Sequence, residues 1–331
     1  MPRKKKGRLV NGILVLDKAT GISSNAALQK VKRLYHAQKA GHTGSLDPLA
    51  TGVLPICLGE ATKVSHYLLD ADKRYRAKCV LGSVTTTGDS DGEIIDTKPI
   101  SELNKTQILD LLASFEGEQD QTPPMFSALK HNGRPLYEYA RKGIEIERKS
   151  RRITLFEIKL LDFSTVNKSA DKPAFIEIEV HCSKGTYIRT LCEDIGQAIG
   201  CGAHISTLRR LTSGPFSLSQ AITIKQLYEQ FNPDDELDEV KQRQMDELLL
   251  STETAIEQIP SVMLNEAQFK QIQHGMTIEF VPAAMAMAIS NSSSGTMVKS
   301  DNYRLYFNNI LIALSILDDD MHLKPKRLLF L

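Results

Sequence analysis

Apolar positions recur along the chain with distinct periods, and each period predicts an element. GILVLDK, residues 12–18, is apolar without interruption through most of its length and reads as a buried strand. In SSNAALQKVKRLYHA the residues Leu28, Val31 and Tyr35 fall on one helical stripe behind a Ser23 or Ser24 cap. KRYRAKCVLGSV alternates instead, with Tyr75, Ala77, Cys79 and Leu81 facing one way, as a half-buried strand does. The Thr-, Gly- and Asp-rich turn TTTGDSDG follows, then a helix near Thr106 to Phe115 with Ile108, Leu111, Leu112 and Phe115 at the helical period. FIEIEVHC alternates again, Ile176, Ile178, Val180 and Cys182 inward and Glu177, Glu179 and His181 outward. It runs through SKGTY into a helix with Ile188, Leu191, Ile195 and Ile199 on one face and Gly200 as its stop signal. Mixed strands and helices, with period-two alternation on several strands, predict an α+β fold around a mixed or antiparallel sheet.

A change of composition divides the chain. The acidic, glutamine-rich stretch of residues 233–255 is expected to be linker or helix, after a first domain of residues 10–232. Beyond it, over 256–331, short apolar runs such as YRLYF and ILIALSIL are separated by Asn, Ser and Gly clusters, which predicts a small closed β-barrel. SNSSSG, residues 290–295, is expected at a hairpin tip.

Charge refines this division. The net charge is +1, yet between Asp234 and Glu257 nine acids face two bases, so the rest of the chain carries an excess of eight positive charges. These concentrate at Arg3 to Arg8, Arg141 to Arg152 and Lys324 to Arg327, as a polyanionic partner would select. At 331 residues with 41% apolar content, the chain has material for two domains. No apolar run approaches the ~18 residues of a membrane span, and a cytoplasmic location is expected. Five cysteines without a C-x-x-C pair argue for reduced thiols rather than a zinc site or disulfide frame.

Candidate chemistry centres on GHTGSLDPLATG, residues 41–52. Asp47 precedes Pro48, so it is extended or in a turn, and Gly41, Gly44 and Gly52 let the backbone pass close to a bulky neighbour. That block continues VLPICLGEATK. It is followed in order by KRYRA, TPPMFSALKHNGRPLYEYARKG, CSKGTYIRTLCEDIG and CGAHISTLRR. Together these five blocks, across residues 10–225, resemble the bacterial tRNA pseudouridine-55 synthases of the TruB type. The terminal segment ending LKPKRLL is similar to the PUA RNA-binding domain that often follows them. In one departure, the turn after the first strand has Ala19 where the family usually has proline.

The resemblance implies a cofactor-free and metal-free isomerisation. A uridine in the T loop of tRNA leaves its C1′–nitrogen bond, rotates and rejoins through carbon, after being flipped out of its stack. Asp47 is then the reactive carboxylate, acting as nucleophile at the sugar or base or as the base of an elimination, with Arg189 as its salt-bridge partner. Tyr75 matches the tyrosine against the target base, a candidate proton acceptor in the last step. Tyr187 and Leu208 match residues lining the same pocket, and His42 the histidine near the displaced base. The insertion near 123–152 places Lys130, Arg141 and further cations among Tyr137 and Tyr139, and corresponds to an RNA-clamping element. The expected partner is the tRNA T arm, with no required protein partner and a monomeric state. A vestigial RNA-binding module, a guide-RNA-dependent pseudouridylase and a paired-carboxylate glycosidase are the competing readings. The intact Asp47, Tyr75 and Arg189 weigh against the first, the YEYARKG insertion against the second, and the lack of a second acid in comparable surroundings against the third.

Overall fold

The computed structural model describes residues 7–166, 173–232, 238–280 and 301–329; the SNSSSG tip lies outside the described residues. The chain begins with strand β1 (Gly12–Lys18) and helix α1 (Ser24–Leu34), whose first turn is capped by the Ser23 hydroxyl accepting the Ala26 N–H. A short strand β2 (Ala40–His42) leads through a loop to β3 (Thr51–Leu58), then helix α2 (Ser65–Asp70) and β4 (Lys73–Leu81). The TTTGDSDG turn joins the hairpin β5 (Ser83–Thr85) and β6 (Ile94–Thr97). Helix α3 (Lys105–Ala113) starts in a reciprocal Asn104/Gln107 cap and is followed by β7 (Gly117–Gln121).

The insertion carries the two-residue strands β8 (Lys130–His131) and β9 (Arg134–Pro135) and the short helix α4 (Leu136–Ala140). Next come β10 (Arg151–Ser164), β11 (Phe175–Cys182) and helix α5 (Ile188–Ile199), closed by Gly200 at φ 90° as its sequence predicts. β12 (Ala203–Ser213), β13 (Phe216–Ser217), β14 (Ile222–Thr223), α6 (Ile224–Gln230) and α7 (Glu239–Asp246) complete the larger part. The terminal part holds β15 (Ser261–Met263), α8 (Glu266–Gln273), β16 (Ile278–Glu279), β17 (Asn302–Phe307), β18 (Ile310–Leu317) and β19 (His322–Leu328).

Ten strands form one mixed sheet in the order β14-β1-β3-β12-β4-β11-β10-β7, with β2 on β3 and β13 on β12. Most neighbours are antiparallel, but β12 meets β3 in parallel through only Arg209↔Thr51 and Arg210↔Gly52. This short pairing is a seam between two half-sheets. Gly52 fits it because, at φ 105°, a Cβ would come 2.2 Å from the Arg210 carbonyl oxygen.

The strands beside the seam explain their own sequences. β1 and β3 are buried on both faces, so they read as continuous apolar runs rather than alternating ones. Leu14, Leu16, Leu54 and Ile56 face the main core beneath α1, α3 and α5, while Ile13, Val15, Val53 and Cys57 face the other way. That second face is covered by Phe216 and by Leu311, Leu314 and Leu329 of the terminal part. The stretch expected as acidic linker or helix contains α7, whose Met245 is buried in the main core, and Leu250 pairs with Ile13. The terminal strands form a separate five-stranded sheet, β15-β17-β18-β19-β16, a half-barrel that fits a small PUA-like module. Among the described residues no helix is long and apolar enough to cross a membrane.

Candidate active site

The loop between β2 and β3 has no regular hydrogen bonding of its own, yet it is pinned from several sides. The Ser24 hydroxyl donates to the Leu46 carbonyl and accepts the Leu46 N–H at 2.7 Å. The Gly21 N–H holds the Pro48 carbonyl at 2.8 Å, and the Thr20 hydroxyl holds that of Leu49. Arg210, almost fully buried, donates to the Val53 carbonyl at 2.6 Å and the Gly44 carbonyl at 3.1 Å. Asp47 is thereby fixed by neighbours rather than by its own secondary structure.

Asp47 Oδ2 lies 3.0 Å from Arg189 Nε. Arg189 emerges from the first turn of α5, and its remaining nitrogens are also engaged. Nη1 donates to the Thr87 carbonyl at 2.9 Å and lies 3.6 Å from Asp89 Oδ2, and Nη2 donates to the Phe126 carbonyl at 2.6 Å. The Arg189 side chain is 5% exposed and that of Asp47 40%, so of the pair the acid is the reachable member. Burial pushes the Asp47 carboxyl above its ordinary range; Arg189 opposes this most strongly, Asp89 adds to it and Lys18 opposes it. The bonded guanidinium favours the ionised carboxylate against desolvation, and the ionised form is what a nucleophile or base requires.

Tyr75 and Arg210 are direct cross-strand partners between β4 and β12, and Leu208 is opposite Ala77 one step along the same face. Burial raises the Tyr75 phenol, the Arg210 guanidinium against it lowers it, and the Asp47 charge raises it. Tyr187 caps the start of α5, half-buried, with Arg151 5.6 Å above its ring. Its phenol is raised by burial, while Arg151, Ser127 and Arg189 act in the opposite sense and the Asp47 charge adds to the rise. His42 pairs with Ile56 across β2 and β3, its Nδ1 buried without a hydrogen-bond partner among the described residues. Burial, then the nearby Arg210, hold its imidazole below the usual value, so it is neutral near pH 7.

The structure thus brings Asp47 and Arg189 into contact and sets Tyr75, Tyr187, Leu208 and His42 on the elements that border them. Lys130 and Arg141 lie elsewhere, exposed on the insertion, and neither pairs with the Asp47–Arg189 couple among the described residues. Arg141 instead lies 5.4 Å over the Tyr137 ring.

Three contributors are missing from the sequence reading. Asp89 had no signal beyond its turn. Lys18, fully buried, donates to the carbonyls of Ala19 and Ile22 at 2.9 and 2.8 Å and is lowered to about 8, chiefly by burial. It ties down the turn that lacks the family's proline. Arg210 was legible in principle, because it stands two residues after Leu208 on a strand and must share its face. Among the described residues no group of three His, Cys, Asp or Glu side chains could hold a metal ion.

The whole architecture has solved counterparts. An H/ACA RNP bound to a substrate RNA containing 2′-deoxyuridine includes a chain that aligns with TM-score 0.66 and 23% identity, over 97% of this chain and 85% of that one. That likeness shows a shared fold. At the level of sequence, the TruB family pseudouridylate synthase N-terminal domain matches residues 32–188, and the tRNA pseudouridylate synthase B C-terminal domain matches residues 189–257. Proteins named tRNA pseudouridine synthase B are similar along the full length. The one from Vibrio campbellii is 47% identical over 99% of this chain and 98% of its own, and that from Aliivibrio fischeri 44% identical over 99% and 97%. The chain belongs to the TruB family of pseudouridylate synthases, a family of isomerases.

Proposed function

We propose that this protein isomerises uridine 55 in the T loop of tRNA to pseudouridine, with Asp47 as the reactive carboxylate. The observation that carries the reading is the 3.0 Å Asp47–Arg189 pair, with its acid half-exposed and its guanidinium buried. The name shared by the full-length relatives supports tRNA as the substrate. In the reaction the C1′–N1 bond breaks and a C1′–C5 bond forms; the C5 proton leaves and N1 gains one, so no external oxidant or reductant is consumed. Attack of Asp47 at the sugar, attack at the base and proton abstraction in an elimination all need it ionised, which the pairing supports.

The target base must leave its stack to reach Asp47, at a cost of about a few kcal/mol. Leu208 and the rings of Tyr75 and Tyr187 offer the flipped base an apolar and aromatic surround, with neutral His42 beside the vacated space. The cations of the insertion, Lys130 and Arg141 among them, supply sequence-blind phosphate contacts. The test is an unmodified tRNA transcript incubated with the protein and mapped for pseudouridine at single-nucleotide resolution. Conversion at position 55 by the natural protein is expected. Asp47→Asn should remove it while tRNA affinity stays within about threefold, since phosphate contacts dominate binding. Turnover by the Asn variant, or modification elsewhere, would refute the assignment.

A further inference from the structure

Helix α5 has to aim two side chains, Tyr187 and Arg189, from its first turn, yet it begins without a capping side chain of its own. Serine, threonine or aspartate would ordinarily fix such a start. Here the fixing group arrives from a residue 66 positions earlier. Gln121, the last residue of β7, is 5% exposed and meets the Tyr187 peptide with both ends of its amide. Its Oε1 accepts the Tyr187 N–H at 2.8 Å, and its Nε2 donates to the Tyr187 carbonyl at 3.1 Å. Only this orientation of the amide satisfies both partners. The Tyr187 carbonyl also accepts the Leu191 N–H at 3.1 Å, so one oxygen links the clamp to the first helical hydrogen bond.

The segment after Gln121 continues the same task. The Phe126 carbonyl, five residues on, holds Arg189 Nη2 at 2.6 Å. On the other side, Arg151 is paired with Gln121 across the β7–β10 ladder and covers the Tyr187 ring. Residues 121–127 and 151 therefore frame the helix start from β7 and β10, with Gln121 gripping the backbone itself.

We infer that Gln121 is a positioning residue for the reaction, whose amide fixes the start of α5 and so aims Tyr187 and Arg189 at Asp47. The inference rests on the proposed role of those three residues. Misplacing reacting groups by about 1 Å can cost on the order of 100-fold in rate while leaving distant binding contacts intact. Among the described residues both side-chain hydrogen bonds given for Gln121 go to the Tyr187 backbone, and Arg151 is its ladder partner by backbone, so its loss should appear in the chemical step and not in affinity.

The test uses the full-length protein and an unmodified tRNA transcript, with single-turnover rates at saturating protein and tRNA dissociation constants measured in parallel. Gln121→Met keeps the length and removes both hydrogen bonds; its rate should fall about 10- to 100-fold, with affinity within about threefold. Gln121→Glu keeps the shape and loses the donor only while ionised. The groups facing that position are the Tyr187 peptide and phenol, Arg151 on β10, and Arg189 with Asp47 beyond. A carboxylate there would oppose the Tyr187 carbonyl, and its protonated form would restore the bond. Relative to the natural protein, the Glu variant's rate should therefore rise as pH falls from 8.5 to 6. Natural rates in the folded Met variant, or a Glu profile parallel to the natural one, would overturn the inference. Should the Met variant not fold, the Glu profile decides. A natural protein that converts no uridine would instead overturn the functional reading, and the two failures are distinguishable.

Discussion

At the scale of single residues, the site is built on one guanidinium that serves three acceptors and faces a second carboxylate. Arg189 reaches Asp47, Asp89, the Thr87 carbonyl and the Phe126 carbonyl, which a planar fork can do and an ammonium cannot. Arg189→Lys should therefore lower the single-turnover rate by about 100-fold or more in a protein that still folds. The pH profile should move as well. Burial raises the Asp47 carboxyl and Arg189 is the strongest opposing influence, so weakening that contact raises it further. Activity carried by the ionised acid is lost as pH falls through its value, and the acid limb should shift to higher pH in the Lys variant. An unshifted limb with a normal rate would remove Arg189 from the site. Asp47 was legible in the sequence because proline and glycines around a lone acid mark a special turn. Its partner was legible only through the family pattern, since 142 residues separate the two and nothing in the local period of α5 singles out an arginine. Asp89 was not legible at all: its turn is ordinary, and its importance arises from where the fold puts it.

Among elements, those with a clear period, or a short uninterrupted apolar run such as β1, are legible in the sequence, and β3 and β12 are not. The alternation of β4 and β11 and the stripe of α5 predicted their inward residues. β12 is illegible because its buried residues mix Leu208 with Arg210, His204 and Ser213, so polarity does not report burial there. β3 is masked inside the GHTGSLDPLATGVLPICLGEATK block, because it lacks alternation and contains Pro55. α5 also carries a cost that its period conceals. Glu193 packs so closely on the Asp89 turn that a Cβ on Gly88 would lie 2.6 Å from its Oε1. Its carboxyl is raised from 4.5 to about 7, mainly by burial, with Arg189 opposing and Asp194 and Asp89 adding. A raised carboxyl means that the folded protein holds a proton the unfolded chain has released between those values, so this group's contribution to stability falls as pH rises from 4.5 to 7. Glu193→Gln removes that loss. The variant should melt higher than the natural protein at pH 8, with the difference shrinking toward pH 5. Thermal melts at both pH values check this, and an equal shift at each would show that ionisation of Glu193 is not the cause.

Over the whole molecule, the two parts are joined by packing as well as by chain. The terminal sheet covers Ile13, Val15 and Val53 on the back of the seam strands, Lys63 donates to the Leu328 carbonyl at 2.8 Å, and Tyr67 donates to Asn302 Oδ1 at 3.1 Å. Deleting the terminal part would therefore strip an apolar face from the strands that carry the Asp47 loop, and lost activity would not separate RNA binding from stability. Charge substitution on β19 does separate them. Lys324, Lys326 and Arg327 are exposed there, and Lys326 and Arg327 act on His66 of α2, which burial and these two charges hold below its usual value. The near-zero net charge of the chain hides this basic edge, because α7 and its flanks concentrate the acids and tie one of them, Asp246, to Arg8. If β19 touches RNA phosphates, replacing all three cations with glutamine should weaken tRNA binding and reduce the slope of log affinity against log salt by about two to three, since each neutralised phosphate contributes a little under one. The modified position should not move if, as proposed, the Asp47 site selects the base, since among the described residues no β19 side chain pairs with Asp47 or Arg189. Binding measured at several salt concentrations, with modification mapped in parallel, checks both halves. An unchanged slope would leave the terminal sheet with a packing role alone, and a relocated pseudouridine would mean that it helps to choose the substrate.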